Sequence, residues 1–200
     1  MSHSTGIYGL VVCGGQSARM GTDKSLLDYY GKPQRYYLYE LLQPFCEQVF
    51  LSCNGQQAAG IPDNYNTIVD APAYKEIGPM AALLSAFDQH PDKTFIVLAC
   101  DYPFFTIHEI KQLLDTAKSD IICAAFCHEE SSIYEPLLAV YQPAAGSMLK
   151  ACFHEQQHSL QRFLKEMQAQ KLFPATEKNI QSIDTPEAYR IAVLETKQMK

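Results

Sequence analysis

The sequence predicts an α/β protein built on a doubly wound, mostly parallel sheet flanked by helices. Three observations carry that expectation. Short apolar runs rich in β-branched and aromatic residues recur along the chain with little in–out alternation, as expected of strands covered on both faces. Segments with helical periodicity separate them. The first apolar run stops on a glycine pair, and in doubly wound sheets ligands bind beyond the carboxyl ends of the strands.

The strands are expected at residues 7–13 (IYGLVVC), 48–53 (QVFLSC), 94–99 (TFIVLA) and 121–126 (IICAAF). Helices are expected at 35–42, at 79–89 with Pro79 as the first helical residue, and at 107–118 behind the capping box formed by Thr106 and Glu109. Another helix should end near His154 and a further one begin at Ser159. In Asp184-Thr185-Pro186-Glu187, Thr185 reads as the N-cap of a final helix, with Pro186 at its first position and an acid in its first turn. No repeat, low-complexity stretch or Gly/Ser/Pro-rich linker divides the chain, so residues 1–200 are expected to form one domain.

Composition narrows the function. With 47% hydrophobic and 19% charged residues, the 200-residue chain can bury a substantial core. A net charge of -6 argues against nucleic acid or an anionic membrane as partner. No basic region followed by an apolar core opens the chain, and no run reaches the roughly 18 apolar residues of a membrane span, so a cytoplasmic protein is expected. Seven cysteines without a CxxC pair, four of them (Cys13, Cys53, Cys100 and Cys123) in strand-like contexts, read as reduced, structural thiols.

The stretch from Gly9 to Leu27, GLVVCGGQSARMGTDKSLL, carries the chemistry. It fails GxGxxG, because Gly14-Gly15 is followed by four other residues and Met20 before Gly21, and it fails the Walker A pattern, because Asp23 precedes Lys24. Paired glycines after a strand nevertheless let backbone N–H groups turn inward around an anion, while Arg19 and Lys24 add full charges that can follow a phosphate chain.

Residues 12–24 (VCGGQSARMGTDK) resemble the LAGGxSxRMGxDK signature of the MobA-like nucleotidyltransferases, whose Rossmann-like fold agrees with the one expected above. The resemblance is greatest to the branch that transfers GMP from GTP to molybdopterin. It continues in Gly31-Lys32-Pro33, in Gly78-Pro79-Met80-Ala81-Ala82-Leu83 (GPLAGL), in Leu98-Ala99-Cys100-Asp101-Tyr102-Pro103-Phe104 (LACDxPF), in residues 136–141 (PLLAVY) and in Asp184-Thr185-Pro186-Glu187 (NTPE).

The resemblance implies that GTP and molybdopterin cofactor are the substrates, with transient contact to cofactor-supplying and molybdoenzyme-maturation proteins. It implies Mg²⁺ held by Asp101, and catalysis by Arg19, Lys24 and Asp101. Nucleotide binding falls to Val12, Cys13, Gly14, Gly15, Lys24, Asn54, Asp70 and Asp101, with the buried side chains of Asn54 and Asp70 reading the base; taken alone, Asn54-Gly55 reads as just a turn. Such transfer needs no protein nucleophile, only positioning and charge neutralisation around the α-phosphorus.

Three departures from the pattern bear on the site. Cys13 replaces an alanine, and Ala82 replaces a glycine where its methyl is expected to narrow the approach to a ligand. Ser182-Ile183-Asp184 replaces Asn-x-Asn. Asp184 is expected to act as a second Mg²⁺ ligand, against the alternative that it only favours the helix terminus.

Other readings remain open to test. A relative using CTP or another phosphorylated acceptor is one, although Gly78-Pro79-Met80 stands where cytidylyl-transferring relatives carry a GMSSS-like segment. His154-Glu155-Gln156-Gln157-His158 matches the HExxH pattern of zinc proteases, but the expected helix break puts the two imidazoles on different elements. A nucleotide-sensing module without activity is the third, and the presence of Arg19, Lys24 and Asp101 argues against it.

Overall fold

The computed structural model describes residues 6–14 and 23–198. In chain order its strands are β1 (Ile7–Val12), β2 (Gln48–Cys53), β3 (Thr67–Val69), β4 (Thr94–Ala99), β5 (Cys123–Cys127), β6 (Tyr134–Tyr141) and β7 (Gln170–Leu172). The helices are α1 (Gln34–Leu42), α2 (Gly55–Ala58), α3 (Met80–Gln89), α4 (Ile107–Ala117), α5 (Pro143–His154), α6 (Leu160–Glu166) and α7 (Pro186–Gln198). The seven strands form one sheet in the order β3-β2-β1-β4-β6-β5-β7. β1 pairs in parallel with both β2 and β4, β2 with β3, and β5 with β7, while β6 runs antiparallel to β4 and β5.

This is the doubly wound sheet expected from the apolar runs. β1, β2 and β4 are almost wholly buried because helices cover both faces, which is why their sequences do not alternate. The capping box at Thr106 and Glu109 is present, and Thr185 caps α7 by accepting the Ala188 N–H at 3.2 Å. The expected helix at Pro79 begins one residue later, with Pro79 as its N-cap. β5 starts at Cys123 rather than residue 121. Ala82 is buried among the core residues of α3 at 3% exposure, so its methyl packs inward and does not narrow a ligand's approach. Cys13, Cys53, Cys100 and Cys123 are buried free thiols, and burial pushes those of Cys53 and Cys123 up to about 12. Among the described residues, no helix is long and apolar enough to cross a membrane.

A second, smaller core decides how the C-terminal segment meets the sheet. Tyr29, Phe104, Ile183 and Ala192 bury one another away from the main core. Thr196 of α7 donates to the Tyr29 carbonyl at 3.1 Å, Tyr189 to the Asp28 carbonyl at 3.2 Å, and Tyr30 to the Pro103 carbonyl at 2.7 Å. α7 and the residues before it are thereby tied to residues 28–30 and to the turn that follows β4.

Candidate active site

Sheet order places the candidate residues before any side chain is considered. β3, β2, β1 and β4 are successive neighbours with their carboxyl ends together, and the residues that leave those ends are Asp70, Asn54, Cys13 with Gly14, and Cys100 with Asp101. The chain reverses direction across the sheet between β1 and β4, where the crevice of a doubly wound sheet forms.

Lys24 stands at the centre. It opens a 3₁₀ turn, Lys24–Leu26, whose N-cap Asp23 accepts the Ser25 N–H at 2.9 Å. Its ammonium is ion-paired and hydrogen-bonded to Asp184 Oδ1 and lies 3.8 Å from Asp101 Oδ2. Only 21% of the Lys24 side chain is exposed. Asp184 is brought across by the segment before α7: Ile183 is buried in the small core and its N–H donates to the Asp101 carbonyl at 2.8 Å. The Ser182 hydroxyl donates to Asp184 Oδ2 at 3.1 Å, so the residue that replaces an asparagine orients the neighbouring carboxylate.

Asp101 is electrostatically unusual. Burial raises its carboxyl to about 6; Lys24 opposes that rise, while the charges of Asp184 and Glu135 reinforce it. Its Oδ1 is buried without a hydrogen-bond partner. An orphaned carboxylate oxygen beside a second carboxylate is a donor set suited to a hard divalent cation. Among the described residues no group of three or more His, Cys, Asp or Glu side chains is arranged to hold a metal ion by itself.

On the β1–β3 side, Asp70 accepts the Ser52 hydroxyl at 3.3 Å, and burial raises its carboxyl. A Cβ on Gly14 would lie 3.9 Å from Asp70 Oδ2, so this acid borders the loop after β1. Asn54 is exposed, not buried, and its side chain is taken up as the N-cap of α2, accepting the Gln57 N–H at 2.9 Å. The Cys13 N–H donates to the Ser52 carbonyl at 2.9 Å, and the Val12 carbonyl accepts from Cys100 at 3.3 Å. Gly15 and Arg19 lie outside the described residues.

Sequence reasoning missed Gln57 and Glu135. Gln57 Nε2 donates to the Cys13 carbonyl at 3.3 Å and to Asp23 Oδ2 at 2.9 Å, joining residue 13 to residue 23; its Oε1 accepts the Asn54 N–H at 3.1 Å. The signal was available, since Asn54-x-x-Gln57 is a capping-box spacing. Glu135 of β6 accepts the Tyr102 hydroxyl next to Asp101 and lines a cavity of about 500 Å³ together with His128, Glu177, Lys178, Ser182 and Glu195. Ser182 and Glu135 make this cavity the immediate neighbour of the Lys24–Asp101–Asp184 cluster.

The HExxH residues do not form a site. His154 ends α5, whereas His158 lies in the loop before Ser159, which caps α6 as expected. Both rings instead contact Phe153, with centroids 5.7 Å away in each case.

A sheet whose crevice carries a glycine-bearing loop, a lysine and two converging carboxylates defines a nucleotide-handling α/β enzyme of the nucleotidyltransferase class. Residues 9–172 match the MobA-like NTP transferase domain. The chain belongs to that family. It is 33% identical over 186 residues to a molybdenum cofactor biosynthesis bifunctional protein of Synechocystis, covering 92% of this chain and 53% of that protein, so it spans about half the length of this relative. It is 32% identical over 164 residues to a molybdenum cofactor guanylyltransferase of Xanthomonas euvesicatoria, covering 76% of this chain and 79% of that one. Among solved structures, a molybdopterin-guanine dinucleotide biosynthesis protein A from Archaeoglobus fulgidus superimposes with a TM-score of 0.76 at 21% identity, over 96% of this chain and all of that one.

Proposed function

We propose that residues 1–200 act as a single domain that transfers GMP from GTP to the terminal phosphate of molybdopterin cofactor. The observation that carries this is the placement of Lys24 between Asp101 and Asp184 at the carboxyl end of β4, beside the loop after β1. The names of the relatives supply the substrate pair.

In this reading the backbone after β1, from Val12 to Gly15, and the Asp70 carboxylate hold the guanosine, Asp70 accepting from the N–H donors of guanine. Asn54 contributes by capping α2, which presents Gln57 to the loop. Asp101 and Asp184 would hold Mg²⁺, which when bound supplies charge neutralisation on the triphosphate. An oxygen of the acceptor phosphate attacks the α-phosphorus, the bond to the β-phosphate oxygen breaks, and pyrophosphate leaves. Lys24 and Arg19 stabilise the negative charge that spreads over the phosphoryl oxygens. The cavity beside Ser182 takes the acceptor, whose ring N–H donors match carboxylates such as Glu135.

The test is a panel of GTP, CTP, ATP and UTP with molybdopterin-type acceptor and Mg²⁺, monitored for pyrophosphate and dinucleotide. GTP should lead. Preference for CTP would move the protein to cytidylyl transfer, and absence of pyrophosphate with every nucleotide would leave a binding protein.

A further inference from the structure

The segment that delivers Asp184 is held from two sides. On one side, buried Glu109 of α4 accepts the Ala175 N–H at 3.2 Å and the Asn179 amide at 2.7 Å. Burial would raise the Glu109 carboxyl, but hydrogen bonds from Thr106, Asn179 and Ala175 outweigh it and hold the group below its ordinary value, so this anchor stays charged through neutral pH. On the other side, His128 at the end of β5 faces two carboxylates at once. Its Nδ1 is 2.6 Å from Glu177 Oε2, and its Nε2 is 2.8 Å from Glu135 Oε1.

Protonation decides whether that second anchor holds. A neutral imidazole has one N–H and one lone pair, so it can satisfy only one of two flanking carboxylates and turns a lone pair toward the other. The imidazolium donates to both. Partial burial favours the neutral ring, but the hydrogen bonds that the ring donates to Glu177 and Glu135 outweigh it and raise the group above its ordinary value. Glu177 also accepts the Glu129 N–H at 3.1 Å, and that bond with His128 holds its carboxyl below the usual range. Of the neighbouring groups, Lys178 pairs with Glu195 of α7 at 2.9 Å, Lys171 of β7 donates to the Ser132 hydroxyl at 3.2 Å, and Tyr102 donates to Glu135.

We propose that His128 is a positioning residue: as imidazolium it clasps residues 177–184 to the β5–β6 hairpin, fixing the wall of the cavity and the approach of Asp184. The consequence for turnover rests on the function proposed above, whereas the clasp itself does not. A group raised on folding gives its full stabilisation below its ordinary value and loses it as pH climbs through the folded value. The clasp is therefore closed below the ordinary imidazole value and opens as pH climbs through the raised folded value, and the acceptor should feel this more than GTP.

Hydrogen exchange on the whole ligand-free chain, corrected for the intrinsic pH dependence of exchange, tests the clasp without any turnover. In the wild type, protection of residues 177–184 relative to β1 and β4 should fall about tenfold from the acidic to the alkaline side, the lower end of what a hydrogen bond to a charged group contributes. His128→Gln should show the lower protection at every pH, and Glu177→Gln, a change at a half-exposed carboxylate, should do the same if the first variant folds poorly. Wild-type protection and pH dependence in the variants would overturn the clasp. In the transfer assay, KM for the acceptor should rise with pH in the wild type and lose that slope in His128→Gln, with KM for GTP unmoved; an unchanged slope would overturn the effect on acceptor binding. A wild type that transfers no GMP would refute the proposed function while the exchange data still judge the clasp.

Discussion

Replacing Lys24 by alanine removes the ammonium that contacts both Asp101 and Asp184, and the structure says what that costs. Taking one partner from a fully buried pair destabilises by about 3–5 kcal/mol, whereas exposed pairs contribute about 0–1 kcal/mol. The three side chains are 21%, 27% and 48% exposed, so the expected loss lies between, at about 1–2 kcal/mol, or roughly 3–6 °C in a chain of this size. The pH dependence has a definite sign. The Asp101 carboxyl is raised to about 6 from an ordinary 3.8, so the folded chain binds this proton more tightly than the unfolded one, and stability falls as pH rises between those values. Lys24 opposes that rise, and without it the window extends upward. Lys24→Ala should therefore melt well below wild type at about pH 8 and much closer to it at about pH 5, where Asp101 is protonated in both. Turnover should fall by about 10²–10³, as when one transition-state charge donor is removed. Equal melting of the two proteins at pH 8 would refute the assignment of Lys24 as the counter-ion of this carboxylate pair, and the same deficit at both pH values would refute its coupling to Asp101.

Asp184→Asn keeps an oxygen ligand and removes one charge, so it should raise the Mg²⁺ concentration needed for half-maximal turnover moderately, while Asp184→Ala should raise it much further; magnesium titrations beside thermal melts separate this from a helix-end effect of about 0.3–1 kcal/mol. Gln57→Ala cuts the link between the Cys13 carbonyl and Asp23, and should weaken GTP binding about tenfold in equilibrium titrations with little change in the transfer rate once GTP saturates.

The parts of the fold that were legible are those whose physics is local. The strands ending at Val12, Cys53 and Ala99 announce themselves because burial on both faces demands unbroken apolar runs, and the caps at Thr106, Ser159 and Thr185 because a side-chain oxygen must meet an early helical N–H. β3 and β7 have three residues each, too few to show a period, and they become strands only because β2 and β5 offer an edge. In the site, a sequence can name Lys24, Asp101 and Asp184 but cannot show that all three meet, since 160 residues separate Lys24 from Asp184. Nor does the sequence show the surroundings of Asn54. Its amide was expected to be buried against a base, and it is exposed and used by α2. His128, Glu135 and Glu177 carry no motif, and their juxtaposition comes from the β5–β6 hairpin meeting a turn 49 residues farther along the chain.

The residues that match the family end at 172, yet Asp184 reaches the same ammonium as Asp101. The carboxylate is held there by packing more than by its own pair. Ile183 sits in a core made with Tyr29 and Phe104, so the segment before α7 is clamped between the chain just after Lys24 and the chain just after Asp101. Each of the three segments thus buries apolar surface against the other two while presenting one charged group to a common point. Burying apolar side chains such as Ile183 contributes about 1.5–3 kcal/mol each, more than a partly exposed ion pair can supply. The apolar triangle therefore sets the geometry and the charges exploit it. Loss of α7 packing should disable the site even though every charged residue remains.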